Sequence, residues 1–218
     1  MSLLIKVCGM TDADNIRQVE ALDVDMLGFI FYPKSPRCVC HLPAYLPTQA
    51  KRVGVFVNET KDNILMYADR FELDYIQLHG NESPEYCHAL RQQGLPIIKA
   101  FPVATVKDLL PTADYQDVCD YLLFDTRTTQ YGGSGNQFDW NLLQSYQGNV
   151  PFLLSGGINS YSARALNEFH HPRLAGIDIN SRFETRPGLK DVERIREFLK
   201  QLTMDNGQFI LLQPFIVP

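Results

Sequence analysis

Leu4-Ile5-Lys6-Val7-Cys8-Gly9-Met10-Thr11 decides how this chain is read: a short apolar run that ends on a thiol, a glycine and a helix cap. Side chains alternate faces along a strand, so Leu4, Lys6 and Cys8 share one face while Ile5 and Val7 share the other. A lysine and a cysteine therefore point the same way at the strand's carboxyl end. Gly9 permits a sharp turn, and Thr11 or Asp12 can accept the free amides of a helix starting at Ala13. Cys8 is read in two ways, as a small buried hydrophobe or as a reactive thiol. Lys6 is read in two ways as well, as a cation favouring the thiolate or as a plug of the interior held in an ion pair.

The same strand-to-loop step recurs outward from this stretch. Met26-Leu27-Gly28-Phe29-Ile30-Phe31 has the continuous apolar character of a buried strand, and Arg52 to Val57, Asp74 to Gly80, Pro96 to Phe101, Asp120 to Phe124, Phe152 to Leu154 and Ala175 to Ile177 follow. Between them, Ile16 and Val19 share one helical face, and Ile64, Ala68 and Phe71 form a second stripe behind a cap at Asn58 or Thr60. Ser83-Pro84-Glu85 opens a third helix. Shorter helices are expected near 105–110 and 138–143, and another is expected after a cap at Asn159 or Ser160, with Tyr161, Ala165 and Phe169 inward. The last, from Asp191 to Leu202, carries Val192, Ile195, Leu199 and Leu202. Prolines 43 and 47 leave room only for a short or distorted helix after the second strand.

Eight strands alternating with helices at intervals of roughly 25 residues predict a single closed (βα)8 barrel, a TIM barrel, over 1–204, followed by an apolar tail over 205–218. An open doubly wound sheet would usually carry a GxGxxG step after its first strand, and the sequence has none. Closure brings all eight carboxyl ends to one face. Cys8, Arg37, His79, Asp125, Gly156, Gly157 and the run Asp178 to Ser181 are thereby expected to meet. Gly156-Gly157 suits close backbone approach to an anion, although a plain turn uses the same residues. Gly132-Gly133-Ser134-Gly135 suits a ligand-covering loop or a merely flexible one.

Composition narrows the partners. Among 218 residues, 25 acidic side chains against 20 Lys and Arg give a net charge of -5, with no basic cluster to hold nucleic acid. No apolar run approaches the ~20 residues of a membrane span, and the start lacks a signal-peptide pattern, so a cytoplasmic protein with reduced thiols is expected. The five cysteines, at 8, 38, 40, 87 and 119, make neither a disulfide framework nor paired zinc motifs.

At Lys6 to Thr11, Gly28-Phe29-Ile30-Phe31 with Ser35-Pro36-Arg37, Val53 to Asn58, Gln77-Leu78-His79-Gly80, Phe124-Asp125, Gly132 to Gly135 with Phe138-Asp139-Trp140, Leu154 to Ile158, and Asp178 to Ser181 with Pro187 to Asp191, the sequence resembles the phosphoribosylanthranilate isomerase family. The likeness runs from about residue 3 to 200. It departs from the family pattern at Arg182-Phe183, in the proline-bearing second helix region and in the tail. The resemblance implies an Amadori rearrangement in tryptophan biosynthesis, needing no metal or redox cofactor. It makes Asp125 the general acid and Cys8 the base, gives Arg37 the anthranilate carboxylate and gives the phosphate to Gly156, Gly157, Asn180 and Ser181. His79 and Asp178 would line the mouth, His79 touching substrate or acting through a neighbour. Arg37 and the phosphate loops are expected on opposite sides of the mouth. Two rivals stand beside this: another phosphate-binding barrel enzyme, such as a Schiff-base aldolase using Lys6 or Lys99 or a related indole-forming synthase, and a silent barrel that only binds a phosphorylated metabolite or a partner through its tail. The tail is expected to pack on the barrel or to join two chains as a homodimer.

Overall fold

The computed structural model describes residues 3–39, 41–126 and 140–204. Eight parallel strands, β1 (Leu4–Cys8), β2 (Met26–Ile30), β3 (Lys51–Phe56), β4 (Tyr75–Leu78), β5 (Ile97–Val103), β6 (Tyr121–Thr126), β7 (Phe152–Ser155) and β8 (Leu174–Ile179), pair in sequence order and close with β8 against β1. The expected eight-stranded barrel is the fold. The tail and the glycine-rich loop of 132–135 lie outside the described residues. Among the described residues no helix is long and apolar enough to cross a membrane.

Alternation splits the apolar residues into two compartments. Met26, Val53, Ile98, Ala100, Leu123 and Leu153 fill the barrel interior, while a larger cluster lies between the strands and the surrounding helices. In that outer layer Phe31 stacks on Tyr67 at 4.4 Å, lies 5.1 Å from Phe56 and meets Phe71 edge-on at 4.7 Å. Such pairs contribute about 0.5–1.5 kcal/mol each beyond burial, which seats the helix carrying Tyr67 and Phe71 over β2 and β3.

A repeated device fixes strand starts. Asp25, Asp74 and Asp120, each immediately ahead of an even-numbered strand, accept the backbone N–H of Ile5, Arg52 and Ile97 on the preceding odd strand at 2.7, 2.8 and 2.8 Å. Each short carboxylate bridges two neighbouring strands at the amino end and so pins their register.

The helices begin where the sequence offers caps. Asp12 caps α1 (Ala13–Glu20), Thr60 caps α2 (Lys61–Phe71) and Ser83, followed by Pro84, caps α3 (Pro84–Arg91). The segments expected near 105–110 and 138–143 are 3-10 helices instead, Val106–Tyr115 and Trp140–Ser145. Pro111 inside the first lacks an amide and would clash with an α-helical turn. Tyr161, expected inward, is 88% exposed. Asn159 accepts the Tyr161 N–H and the Ser162 hydroxyl accepts the Asn159 N–H, so a tight turn delays α4 (Ala163–Glu168) and rotates its buried face to Ala163 and Leu166. The chain ends its described course in α5 (Val192–Met204).

The irregular second step goes further than the sequence suggests: residues 41–50 hold no helix. Glu20 of α1 takes over the work of a helix there. Its carboxylate accepts the N–H groups of Thr48, Gln49 and Ala50 at 2.7, 2.6 and 3.0 Å and the Tyr45 hydroxyl. Past β8, an antiparallel pair unforeseen in the sequence, β9 (Glu184–Arg186) with β10 (Leu189–Lys190), folds over the mouth. Buried Asn15 of α1 holds it by exchanging hydrogen bonds with the Lys190 backbone at 2.7 and 2.9 Å.

Candidate active site

The first strand delivers Cys8 to the mouth, and the second makes space for it. Gly28 pairs with Cys8 in register, and a Cβ on Gly28 would stand 2.8 Å from the Cys8 sulfur, so only glycine fits beside the thiol. One pleat below, Lys6 is fully buried and aligned with Asp178 of β8. Its ammonium donates to Asp178 Oδ1 at 2.7 Å, and the Ser155 hydroxyl donates to Asp178 Oδ2 at 3.0 Å. Lys6 thus makes the ion pair of one reading while standing next to the thiol as the other required. Burial works to neutralise Lys6, but Asp178 and Cys8 outweigh it and hold its ammonium above the ordinary lysine range. Burial pushes the Cys8 thiol up, and Asp178 adds to the rise; Lys6 and Lys190 pull the other way without cancelling it.

Arg37 leaves the loop after β2 and meets Glu184 of β9. Nε lies 2.9 and 3.0 Å from the two carboxylate oxygens, and Nη2 donates to Oε2 at 2.6 Å. Among the described residues this fork leaves Nη1 and one hydrogen of Nη2 for a ligand. Lys190, also buried, donates to Glu184 Oε1 at 2.6 Å and to Asn180 Oδ1 at 2.7 Å. Burial would raise the Glu184 carboxyl, but the hydrogen bonds from Arg37 and Lys190 hold it below the usual carboxylate range. For Lys190 burial wins, keeping it below the ordinary lysine range despite Glu184.

This network corrects one expectation. Arg37 does not lie across the mouth from the segment after β8, because Glu184 of that segment grips it. A Cβ on Gly9 would meet Arg37 Cδ and Asn180 Oδ1 alike at 2.8 Å. Strands β8, β1 and β2 are neighbours, and the barrel closes through them.

Asp125 stands near the end of β6, opposite Ser155 in register, its side chain 25% exposed. His79, just past β4, holds Nε2 3.5 Å from Asp125 Oδ2, and its Nδ1 lies 2.9 Å from Gln77 Nε2. Gly156 and Gly157 adopt φ of +84° and +69° at the end of β7, a backbone only glycine takes without strain, and a Cβ on Gly157 would meet nothing within 4 Å. Asn180 and Ser181 follow the adjacent β8, with Ser181 exposed. Phe183 is fully buried against Phe198 of α5, ring centroids 4.9 Å apart, which accounts for an aromatic residue in this loop.

All nine residues expected at the site therefore reach the carboxyl face of the barrel. Glu184, Lys190, Ser155 and Gln77 join them unassigned by the sequence reading. For Glu184 no local signal existed, and Lys190 stood in the motif Pro187 to Asp191 without a role; Gln77 shares a strand face with His79, which was legible.

Fold and mouth together define a (βα)8-barrel protein with acid–base groups and cationic clamps at its strand ends. Residues 5–201 match the family described as N-(5'phosphoribosyl)anthranilate (PRA) isomerase, and the chain belongs to that family. An N-(5'-phosphoribosyl)anthranilate isomerase of Phocaeicola vulgatus is 52% identical over 200 residues, 92% of this chain and 98% of the relative; one from Parabacteroides distasonis is 50% identical over 206 residues, 92% and 93% of the two chains. The crystal structure of the phosphoribosyl anthranilate isomerase from Thermotoga maritima superposes with a TM-score of 0.80 at 33% identity, covering 92% of this chain and 98% of that one. A further structure of this kind, in complex with reduced 1-(o-carboxyphenylamino)-1-deoxyribulose 5-phosphate, gives a TM-score of 0.76 at 30% identity, covering 92% and 98%.

Proposed function

We propose that this protein performs the Amadori rearrangement of N-(5'-phosphoribosyl)anthranilate to 1-(2-carboxyphenylamino)-1-deoxyribulose 5-phosphate, a step of tryptophan biosynthesis. The observation that carries the reading is the meeting of Cys8 and Asp125 at one barrel mouth beside the Arg37 clamp, in a chain half identical to isomerases of that name.

Asp125 protonates the furanose ring oxygen, and the aminal opens to an iminium ion. The Cys8 thiolate then takes the proton from C2, and the enolamine that results tautomerises to the ketone. Burial disfavours the thiolate in the free protein. The iminium cation, one bond from C2, corrects this at the moment of need: it acidifies the C2–H and stabilises a thiolate close by. Lys6 adds a second positive charge beneath the sulfur. Arg37 offers its free N–H groups to the anthranilate carboxylate, oriented by Glu184. The backbone at Gly156 and Gly157, with Asn180 and Ser181, receives the phosphate, while Asp178 braces Lys6 and His79 faces the acid.

The aldolase alternative asks for a lysine free to form an imine. Lys6 is paired with Asp178, and Lys99 donates to the carbonyls of Leu78, Gly80 and Ala100 and lies 3.2 Å from Glu82. Neither is poised as a nucleophile. The test is the fluorescence of freshly made phosphoribosylanthranilate, which should fall at a rate proportional to protein added. Decay no faster than in buffer would leave the silent-barrel reading in possession. The proposed packing of the tail, on the barrel or between two chains, is tested by truncation after Met204 and sedimentation.

A further inference from the structure

Gln77 is a polar side chain in an apolar place. It lies on β4 between Val55 and Ile98, 1% exposed, with its side chain toward the barrel interior. A buried amide costs free energy unless both of its ends are hydrogen-bonded. One end of this amide is engaged, with Nε2 2.9 Å from His79 Nδ1. The other, Oε1, is buried and has no hydrogen-bond partner among the described residues. An apolar side chain of the same length would fill the layer more cheaply, so the amide is there for what it does to the histidine.

We propose that Gln77 is a positioning residue whose amide sets the tautomer of His79 and, through it, the proton held by Asp125. The proposal rests on the reading of Asp125 as the general acid. The two ends of a carboxamide have nearly the same size and exchange places by a half-turn about the last side-chain bond. With the nitrogen toward the ring, Nδ1 accepts, the neutral imidazole carries its hydrogen on Nε2, and that hydrogen faces the Asp125 carboxylate. The pair then holds one proton. With the oxygen toward the ring, Nδ1 must carry a hydrogen. Nε2 then either bears another opposite the carboxylate or offers its lone pair to a protonated Asp125. The pair then holds two.

The amide thus distinguishes the loaded acid from the spent one. In turnover a proton leaves Asp125 for the ring oxygen and the pair passes from two protons to one; the imidazole then changes tautomer by exchange with solvent, which takes the Nδ1 proton and supplies one to Nε2, and the amide turns its nitrogen to Nδ1. The C2 proton passes to Cys8 and on to C1, the enol hydroxyl gives its proton to solvent as the ketone forms, and solvent reloads Asp125. Every proton is accounted for. The 3.5 Å between His79 and Asp125 is long for a hydrogen bond and leaves room for the contact to tighten once substrate is bound.

Among the described residues the other charged groups around this arm are already matched. Lys99 of β5 is paired with Glu82 behind the Leu78 and Gly80 carbonyls, and beyond Ser155 of β7 Asp178 is paired with Lys6.

The experiment is a pH titration of the full-length protein labelled with 15N-histidine, with His79 assigned from a His79→Gln spectrum, alongside the pH profile of kcat/KM. Gln77→Leu removes the acceptor for an Nδ1 hydrogen, so the second proton should bind about one pH unit lower; the limb of kcat/KM that reports loss of the acid should move with it, at a KM unchanged within about twofold. Gln77→Glu, of the same shape, has no N–H to offer; as a carboxylate it accepts from Nδ1, pairs with the second proton and should shift both upward. Opposite shifts in the two variants support the proposal. An unmoved His79 titration in Gln77→Glu overturns it, even if Gln77→Leu fails to fold. A His79 shift with an unmoved kcat/KM limb overturns the link to catalysis. Full turnover by Asp125→Asn is a separate result that would remove the acid assignment itself.

Discussion

The two sides of the barrel mouth are built on different principles. On the side of β8, β1 and β2, the Lys6, Asp178, Glu184 and Lys190 side chains are almost wholly buried, the Arg37 side chain is 18% exposed, and charged hydrogen bonds of 2.6–3.0 Å pair them, with Cys8 among them. On the side of β4 and β6, His79 and Asp125 are a third and a quarter exposed, 3.5 Å apart, and backed by an amide with one end unpaired. The first side is saturated and has one arrangement. The second is undersatisfied and can hold its protons in more than one way. A fixed cationic cradle suits the binding of an anion and the steering of the proposed base, whereas the proposed acid, which would unload and reload each cycle, needs slack.

The sharpest way to break the comparison is to remove the group proposed to react on each side. A positioned acid or base contributes about 10²–10⁴-fold, so Cys8→Ser and Asp125→Asn should each lose turnover on that scale while still binding product. Their stabilities should then differ from that of Lys6→Met. Asp125→Asn leaves no buried charge behind and should melt as the parent does. Lys6→Met strands the Asp178 carboxylate in the interior, and removing one partner of a buried pair costs about 3–5 kcal/mol. Urea denaturation of the three variants measures this; a Lys6→Met protein as stable as Asp125→Asn would mean that the saturated side is not held by its charges.

How much of this was legible in the sequence follows the same division. Strand ends are local: Cys8 follows four residues of strand and precedes a cap, and Asp125 closes an apolar run, so both could be placed at the mouth once eight strands were counted. The cap at Ser83 was legible for the same reason, and those at Asp12 and Thr60 were each narrowed to one of two residues. The saturated network was not. Arg37 and Glu184 are 147 residues apart, and Lys190 reaches the mouth only because Asn15, 175 residues away, grips its backbone. Nothing near Glu184 marks it, since the β9–β10 turn is too short to carry a period. Tyr161 went astray at shorter range, where side-chain turns at Asn159 and Ser162 overrode the helical register.

A gentler change sharpens the comparison on the side of the clamp, and pH supplies its control. Glu184→Gln keeps the shape but leaves Arg37 and Lys190 without their carboxylate. KM should rise about tenfold as Arg37 loses its orientation, and stability should fall by about 2 kcal/mol, the usual worth of a hydrogen bond to a charged group, or roughly 4–8 °C in Tm for a domain of this size. In the folded state the Glu184 carboxyl is held below its ordinary range, burial being outweighed by Arg37 and Lys190. Its contribution is therefore complete above the unfolded value of about 4.3 and is lost as pH falls through the lower folded value. Lys190 remains protonated throughout that acid window, so it adds no slope of its own there. The Tm gap between the parent and Glu184→Gln should accordingly be widest near neutrality and close as pH drops below about 4. Asp125→Asn, on the side without buried pairing, should show little gap near neutrality. If the Glu184→Gln gap is as wide at pH 3 as at pH 7, the carboxylate stabilises the fold by shape rather than by charge. The contrast between a saturated side and a slack one would then rest on Lys6 and Asp178 alone.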